Sequence, residues 1–471
     1  MSFVEGIKAL NDAVNGIVWG PYMLVLLVGT GVLYTMWSKG FQITKFKLWW
    51  RNTSSTLVQK KADAGKDNIS PFQAVMTAMS ATLGVGNIAG VATAIASGGP
   101  GAVFWMCLSA FFGGMTKYAE VVLAVKYRQI DDKGFYHGGP MYYITNGLGA
   151  KWKPLAVIFA IFTVLASFGI GNMTQSNAIS GSLERTFGIN PMITGIVVAV
   201  LVGLVIIGGI KRIAAVAEKL IPATAVFWVA GCVVIIIINI AKVPAAFGDI
   251  FAHAFGLQSA VGGVLGYTVM QAVRRGIARG VFSNEAGLGS APIAHAVSRQ
   301  KDPVKQGSWA IFEVFFDTII NIGTALVILT AGLYLTPVGD TALSGAPLSI
   351  ASFSSTLGEA FGPVFGQFGA IFVSISILFF AGTTIIGWSF YAERCLGFLT
   401  KNNPTILLVY KMLFCALVVV GAMGGLELVW DIADTLNGLM AIPNLIALVL
   451  LSKVVIGLTK KYVETGSSLE S

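Results

Sequence analysis

Ser80-Ala81-Thr82-Leu83-Gly84-Val85-Gly86-Asn87 and Phe282-Ser283-Asn284-Glu285-Ala286-Gly287-Leu288-Gly289-Ser290 each set a Gly-x-Gly beside polar residues inside a long apolar stretch. Glycine costs a helix interior about 1 kcal/mol relative to alanine, so paired glycines predict that the backbone leaves the helix there. In hydrocarbon every N–H and C=O needs a partner, and irregular backbone survives only where it is buried in protein or lines an aqueous cavity. Both stretches therefore read as interrupted membrane helices. A kink or a close helix contact also uses small residues. Two breaks at matching positions favour a binding site over packing.

The surrounding chain supports a membrane reading. Of its 471 residues 55% are hydrophobic and 11% charged, and the mean hydropathy is +0.78, far from the balance of a soluble domain. Eleven apolar runs, near 16–37, 70–97, 101–128, 153–183, 191–210, 216–241, 262–298, 306–336, 363–396, 405–424 and 428–452, predict an all-α polytopic protein. Each is long enough to cross about 30 Å of hydrocarbon as a helix. The breaks fall in the second and seventh runs, and Gly287 follows Gly84 by 203 positions. Five spans begin at each break. Five is odd, so the second half enters the membrane from the opposite side, as an inverted repeat must. The expected organisation is an added helix and basic loop over 1–69, repeats over 70–241 and 242–452, and a cytoplasmic tail over 453–471 whose last residues, Gly466 to Ser471, read as flexible.

The net charge of +9 follows the spans. Lys39, Lys45, Lys47, Arg51, Lys60, Lys61 and Lys66 precede the second span, and Lys126, Arg128, Lys133, Lys151 and Lys153 follow the third. Later alternate connections carry Lys211, Arg212 and Lys219, then Arg299, Lys301 and Lys305, then Arg394 and Lys401, then Lys453, Lys460 and Lys461. The opposite connections hold little beyond Arg185 and Lys242. The positive-inside rule then predicts an outside N-terminus and a cytoplasmic C-terminus in a plasma (inner) membrane, and needs an odd number of spans. The basic excess is orientation, with no nucleic-acid partner implied. Met1 to Glu5 lack a basic n-region, so no cleavable leader is expected. Cys107, Cys232, Cys395 and Cys415 lie in apolar runs without paired spacing, which disfavours disulfides and metal sites. Gly84-x-Gly86-x-x-Ala89 imitates a dinucleotide motif but follows no strand. No P-loop, HExxH or GxSxG appears, so nucleotide-driven pumping and the common hydrolase chemistries lack support, and neither an enzyme nor an organic cofactor is expected.

Paired interrupted helices at corresponding positions of two halves mark a transporter binding site. Free N–H groups at a half-helix N-terminus favour a carboxylate, and free carbonyls and hydroxyls replace the water around a cation. The chain further resembles a known family. Gly98-Gly99-Pro100-Gly101-Ala102-Val103-Phe104-Trp105-Met106 with Gly113 is similar to the signature of the alanine/glycine:cation symporters. Similarity extends through Gly86–Ala92, Thr116–Glu120, Gly138–Tyr142 and Ser283–Gly289, most of the chain, with Cys107 departing from the usual second Trp. The resemblance implies the LeuT-like fold, two inverted five-helix repeats with two discontinuous helices, here with one helix in front. It implies Na⁺ as the coupling ion and a small neutral amino acid, alanine or glycine, as substrate, with no obligate protein partner beyond the bilayer.

Roles carried over by motif follow from that resemblance. The N–H groups of Val85 and Gly86, with Asn87 beside them, hold the substrate carboxylate. Carbonyls of Ser80, Leu83 and Phe380 and hydroxyls of Thr383 and Thr384 form a sodium site of oxygen ligands, which suits a hard cation, although threonine hydroxyls in membrane spans commonly bond the backbone of their own helix instead. A second cation site maps to Thr82, Asn87, Ser283 and Asn321, although Asn321 serves equally as interhelical glue. Phe168 and Asn172, four apart and so on one helix face, Phe282 and Trp388 are the expected pocket walls. Glu285 either attracts the substrate ammonium or fixes the second break. The resemblance does not supply a gate, since the fold's usual gate arginine falls at Gly90 here; from position alone Arg279 with Asp431 or Asp434 is the expected gate, and Glu120, Glu313 and Asp317 are expected to partner nearby basic groups. Proton coupling through Glu285 or another buried carboxylate is the alternative mechanism, and a channel is the alternative class.

Overall fold

In the computed structural model the described residues are 3–57, 68–132, 134–256, 262–335, 337–338, 341–424 and 427–469. Lys60, Lys61, Lys66, Lys133, Glu470 and Ser471 lie outside them. Almost all of the described chain is helical. Two antiparallel hairpins, Gln129–Ile130 with Tyr136–His137 and Pro337–Val338 with Thr341–Ala342, are the only strand pairs among the described residues.

Eight helices are long and apolar enough to cross a hydrocarbon layer, within Glu5–Trp37, Gly101–Lys126, Ala150–Phe187, Gly209–Ile238, Pro303–Ala331, Pro363–Thr400, Pro404–Ala422 and Leu428–Leu450, and a bent pair makes nine. That pair, Pro71–Thr82 and Gly86–Gly98, turns by 49° at the first break. Eleven is a finer count than length and apolarity carry. Pro191–Ile206 is apolar but only 16 residues long, and Gly262–Asn284 carries Arg274, Arg275 and Arg279 ahead of its break. Two further helices interrupt connections that the hydropathy pattern left blank, Val243–Ala254 and Gly345–Phe361.

The molecule is apolar outside and polar within. Ile193, Val200, Leu201 and Leu204 on one helix, and Val226, Val233, Val234 and Ile237 on the next, are exposed, whereas Ser80, Thr82, Asn87, Lys117, Glu120, Glu285, Glu313 and Asp317 are buried. Apolar surface on this scale belongs against lipid.

The two broken helices lie side by side and antiparallel. Ile69, just before Pro71–Thr82, bridges to Ser298, just after the short helix Ala291–Ala296, through Ile69 N to Val297 O at 3.4 Å and Arg299 N to Ile69 O at 3.0 Å. The half after the first break, Val91–Gly98, packs on Gly262–Asn284, and Pro71–Thr82 packs on Ala291–Ala296. Each break thus faces the other near the middle of the molecule. Helix Ser452–Thr465 ends on left-handed Gly466, and Ser468 then donates from its N–H (2.8 Å) and hydroxyl (2.5 Å) to the Asp302 carboxylate, which anchors the chain end to the start of Pro303–Ala331.

Candidate functional site

At the first break the helix ends on Thr82 and resumes in a wide π-type turn over Gly86–Gly90. The freed peptide groups take side-chain partners: Gly84 N–H donates to Asn87 Oδ1 (3.0 Å) and Val85 N–H to Gln175 Oε1 (3.3 Å). The Leu83 carbonyl accepts from Thr384 Oγ1 at 3.4 Å, a long bond, while the same hydroxyl reaches Phe380 O at 2.9 Å and Thr383 Oγ1 reaches Phe380 O at 3.0 Å. Glycine is required here, because a Cβ at Gly84 would collide with the Thr384 hydroxyl. Gly387 has the same effect one turn on, since its Cβ would stand 2.7 Å from Ser80 Oγ. The Pro363–Thr400 helix therefore presses against the break and brings Leu83, Phe380, Thr383 and Thr384 into one group of oxygens, with Ser80 alongside. No nitrogen or sulfur ligand intrudes, which suits a hard cation.

Asn87 reaches the other way. Its Nδ2 meets Ser283 Oγ (3.1 Å), Asp317 Oδ1 (2.6 Å) and Asn321 Oδ1 (2.9 Å), and Ser283 donates to Asp317 at 2.8 Å. Three of the four residues read as a second cation group thus come together, around a carboxylate, Asp317, expected to partner a basic group. Thr82 is separate. Its hydroxyl donates to Glu313 Oε1 (2.6 Å), which forms a fully buried ion pair with Lys117 Nζ (2.7 Å) and also meets His295 Nε2 (3.2 Å). Lys117 Nζ further donates to Asn284 O at 2.7 Å, so one buried ammonium ties the helix end before each break.

The second break is longer and more strained. Glu285, Gly287 and Gly289 all adopt positive φ, at 55°, 90° and 80°. For Glu285 that conformation is sparsely populated and needs support from its surroundings. Its Oε2 accepts from Ser290 Oγ (2.8 Å), Ala286 N–H donates to Asn284 Oδ1 (3.0 Å), Gly289 N–H to Glu120 Oε1 (3.1 Å), and Asn444 Nδ2 to Gly287 O (2.9 Å). Of the two readings of Glu285, loop fixing is visible in these bonds.

Between the breaks lies a nearly closed cavity of about 10 Å³, faced by Gly86, Gln175, Phe282, Glu285, Thr384 and Trp388. Phe282 packs on Gly86, where a Cβ would stand 3.1 Å from its ring, and separates this cavity from two larger ones of about 420 and 140 Å³. Arg279 lines both larger cavities, its guanidinium 5.3 Å from the Phe282 ring centre and 3.9 Å from Asp434 Oδ1. Asp431 lines the smaller of the two, one turn from Asp434.

Phe168 and Asn172 do share a face, but it turns to the Pro404–Ala422 helix: Phe168 packs on Tyr410 and Phe414 at 5.6 and 6.3 Å between ring centres, and Asn172 Nδ2 donates to Phe414 O at 2.7 Å. The cause is a π-type turn over Gly169–Met173, whose wider pitch presents Ile170 and Gln175, five apart, to the cavity. Gly171 in that turn lies against Trp388, which it lets approach. Spacing four apart assumed an unbroken α-helix. Gln175 and Asn437 of the Glu427–Leu450 helix also face the cavity and carried no motif. Neither polar atom of buried Asn437 finds a partner among the described residues, and each buried atom left so costs about 1–3 kcal/mol.

Apolar helices around a polar interior with two facing breaks define a multi-pass membrane protein built to enclose a small polar solute. The sequence profile of the sodium:alanine symporter family matches residues 4–470, and the chain belongs to that family. It is 45% identical over 467 residues to the sodium/alanine symporter AgcS of Methanococcus maripaludis, covering 98% of each chain. It is 41% identical to the probable sodium/glutamine symporter GlnT of Bacillus subtilis, covering 95% of this chain and 89% of that one. Among solved structures, a manganese transporter of Eremococcus coleocola superposes with a TM-score of 0.52 at 14% identity, over 83% of this chain and 77% of that one, a likeness of fold.

Proposed function

We propose that this protein is a secondary symporter that couples inward Na⁺ movement to uptake of alanine or a similarly small neutral amino acid by alternating access. The observation that carries the reading is the group of oxygens from Leu83, Phe380, Thr383 and Thr384 beside the closed cavity. Na⁺ there bonds both the first break and the Pro363–Thr400 helix, so binding it favours the conformation in which the two touch. A ligand shifts such an equilibrium only through contacts that differ between states, and this contact is one.

In this reading the N–H groups of Val85 and Gly86 take the substrate carboxylate, displacing the long bond from Gln175. Trp388 limits the side chain, and Phe282 with the Arg279–Asp434 pair closes the way to the larger cavities. The antiparallel broken helices support a 5+5 inverted repeat with one helix in front, eleven spans in all. The basic segments support a cytoplasmic side for the C-terminus and the Ile69–Ser298 bridge. The family and the oxygen-only ligands support Na⁺ over H⁺.

Radiolabelled alanine uptake into proteoliposomes tests the proposal. A Na⁺ gradient is expected to drive accumulation. Equal accumulation under a proton gradient without Na⁺ would sink the sodium reading, and an ion current far above substrate flux would sink the transporter reading.

A further inference from the structure

The closed cavity contains a polar side chain that this scheme leaves idle. Asn437 is fully buried, faces the cavity, and has both Oδ1 and Nδ2 without a hydrogen-bond partner among the described residues. Buried amides are nearly always paired, so an unpaired one aimed into a binding cavity points to a ligand that completes it. Its position on the helix adds a second observation. Asn437 stands three residues past Asp434, and residues three apart share a helix face. That face presents a carboxylate to the cavity above Phe282 and an amide to the cavity below it.

We propose that Asn437 is a specificity-determining ligand of the substrate α-ammonium. The assignment rests on the amino-acid reading above. An α-amino acid with an apolar side chain offers only two groups for hydrogen bonding, a carboxylate and an ammonium. The first break supplies donors, which suit the carboxylate. Asn437 and Glu285 both line the cavity, and a carboxylate there repels an anion and attracts a cation. The ammonium has three N–H donors and no acceptor, so Asn437 Oδ1 accepts one and Glu285 a second. A site built to receive an N–H rejects an analogue that lacks it, because its own acceptor then stays unpaired. The consequence is discrimination at the nitrogen: a primary amine satisfies both acceptors, whereas its N,N-dimethyl counterpart, with a single N–H, leaves one of them unpaired and is disfavoured.

The test compares alanine with N,N-dimethylalanine in wild type, Asn437→Leu and Asn437→Thr, by Na⁺-driven uptake and by thermal unfolding in detergent. Asn437→Leu is expected to raise the alanine KM tenfold or more and to bring the alanine to N,N-dimethylalanine preference close to one. Asn437→Thr, which keeps an acceptor oxygen, is expected to fall between. The substrate-free melting temperature of Asn437→Leu should match or exceed wild type, since an unpaired amide is replaced by an apolar group, whereas a merely structural amide would lower it. An alanine KM within twofold of wild type overturns the assignment, and so does a raised KM with the preference over N,N-dimethylalanine intact. Should Asn437→Leu fail to fold, the assignment falls, because that amide then holds the helix. Absence of Na⁺-driven alanine uptake in wild type removes the amino-acid reading and this assignment with it, while normal wild-type uptake with unchanged variants removes this assignment alone.

Discussion

The two breaks begin from the same Gly-x-Gly pattern and end in opposite electrostatic states. At the first, Gly84 N–H is held by Asn87 at 3.0 Å, but two freed groups meet neutral side chains only at long range, Val85 N–H by Gln175 at 3.3 Å and the Leu83 carbonyl by Thr384 at 3.4 Å. At the second they are bound by closer groups, Gly289 N–H by Glu120 at 3.1 Å and Gly287 O by Asn444 at 2.9 Å, while Lys117 holds Asn284 O at 2.7 Å. Bonds to charged groups are roughly twice as strong as neutral ones. The first break keeps peptide groups that a solute can win, and the second spends its own on holding its shape. Shared motifs therefore do not imply shared tasks.

Several substitutions break or sharpen this contrast. The largest effect is expected at Lys117→Met, which leaves Glu313 buried without its ammonium; removing one partner of a buried pair costs about 3–5 kcal/mol. Loss of folded protein, or a steep fall in melting temperature in detergent, is the expected outcome, and a melting temperature equal to wild type would show that Lys117 is not the clamp between the breaks.

Next comes a matched pair of glycines. Gly289→Ala forces a side chain into positive φ and to 2.7 Å from Pro140 Cγ, so melting temperature should drop. Gly84→Ala places its methyl against the Thr384 hydroxyl, so Na⁺-driven uptake should vanish while melting changes less. Equal losses of stability in both would erase the distinction drawn between the breaks.

Thr384→Val keeps the shape and removes the oxygen. A bond to a charged group contributes about 1.5–3 kcal/mol, which corresponds to roughly a tenfold or greater rise in the Na⁺ concentration for half-maximal uptake. Unchanged Na⁺ activation would take Thr384 out of the site.

The smallest effect belongs to Asp434→Asn. The Arg279 contact is 3.9 Å long and part-exposed, a class of pair that contributes about 0–1 kcal/mol. A change in KM of fivefold or less is expected, with a larger change pointing to direct substrate contact.

Much of this was legible beforehand because lipid is a strict solvent. The two Gly-x-Gly segments at matching positions signalled unwound backbone, although Gly29-x-Gly31 and Gly113-Gly114 sit in continuous helices, and the alternation of basic segments signalled an orientation. The oxygens expected to group from the motif partly do so: Leu83, Phe380 and Thr384 meet, while Thr383 bonds within its own helix to Phe379 and Phe380. The walls were less legible. Phe168 and Asn172 were placed by a period of 3.6, which a π-type turn at Gly169–Met173 locally suspends. Asp317 was expected to meet a basic group, but amides and a hydroxyl satisfy it: Asn321 lies one turn on along its own helix, while Asn87 and Ser283 arrive from the two broken helices. The tail's anchor on Asp302 was likewise a contact between distant segments.

The sequence by itself determined the solvent, the helical class, the two breaks and their register, since these depend on local composition and on the cost of unpaired peptide groups in hydrocarbon. Only the tertiary structure decided which break is open and which is filled. That outcome depends on Glu120, Asn444 and Lys117 arriving at the second break, and on Gln175, Thr384 and Asn437 surrounding the first, and no local period or propensity encodes which distant side chain supplies the last hydrogen bond.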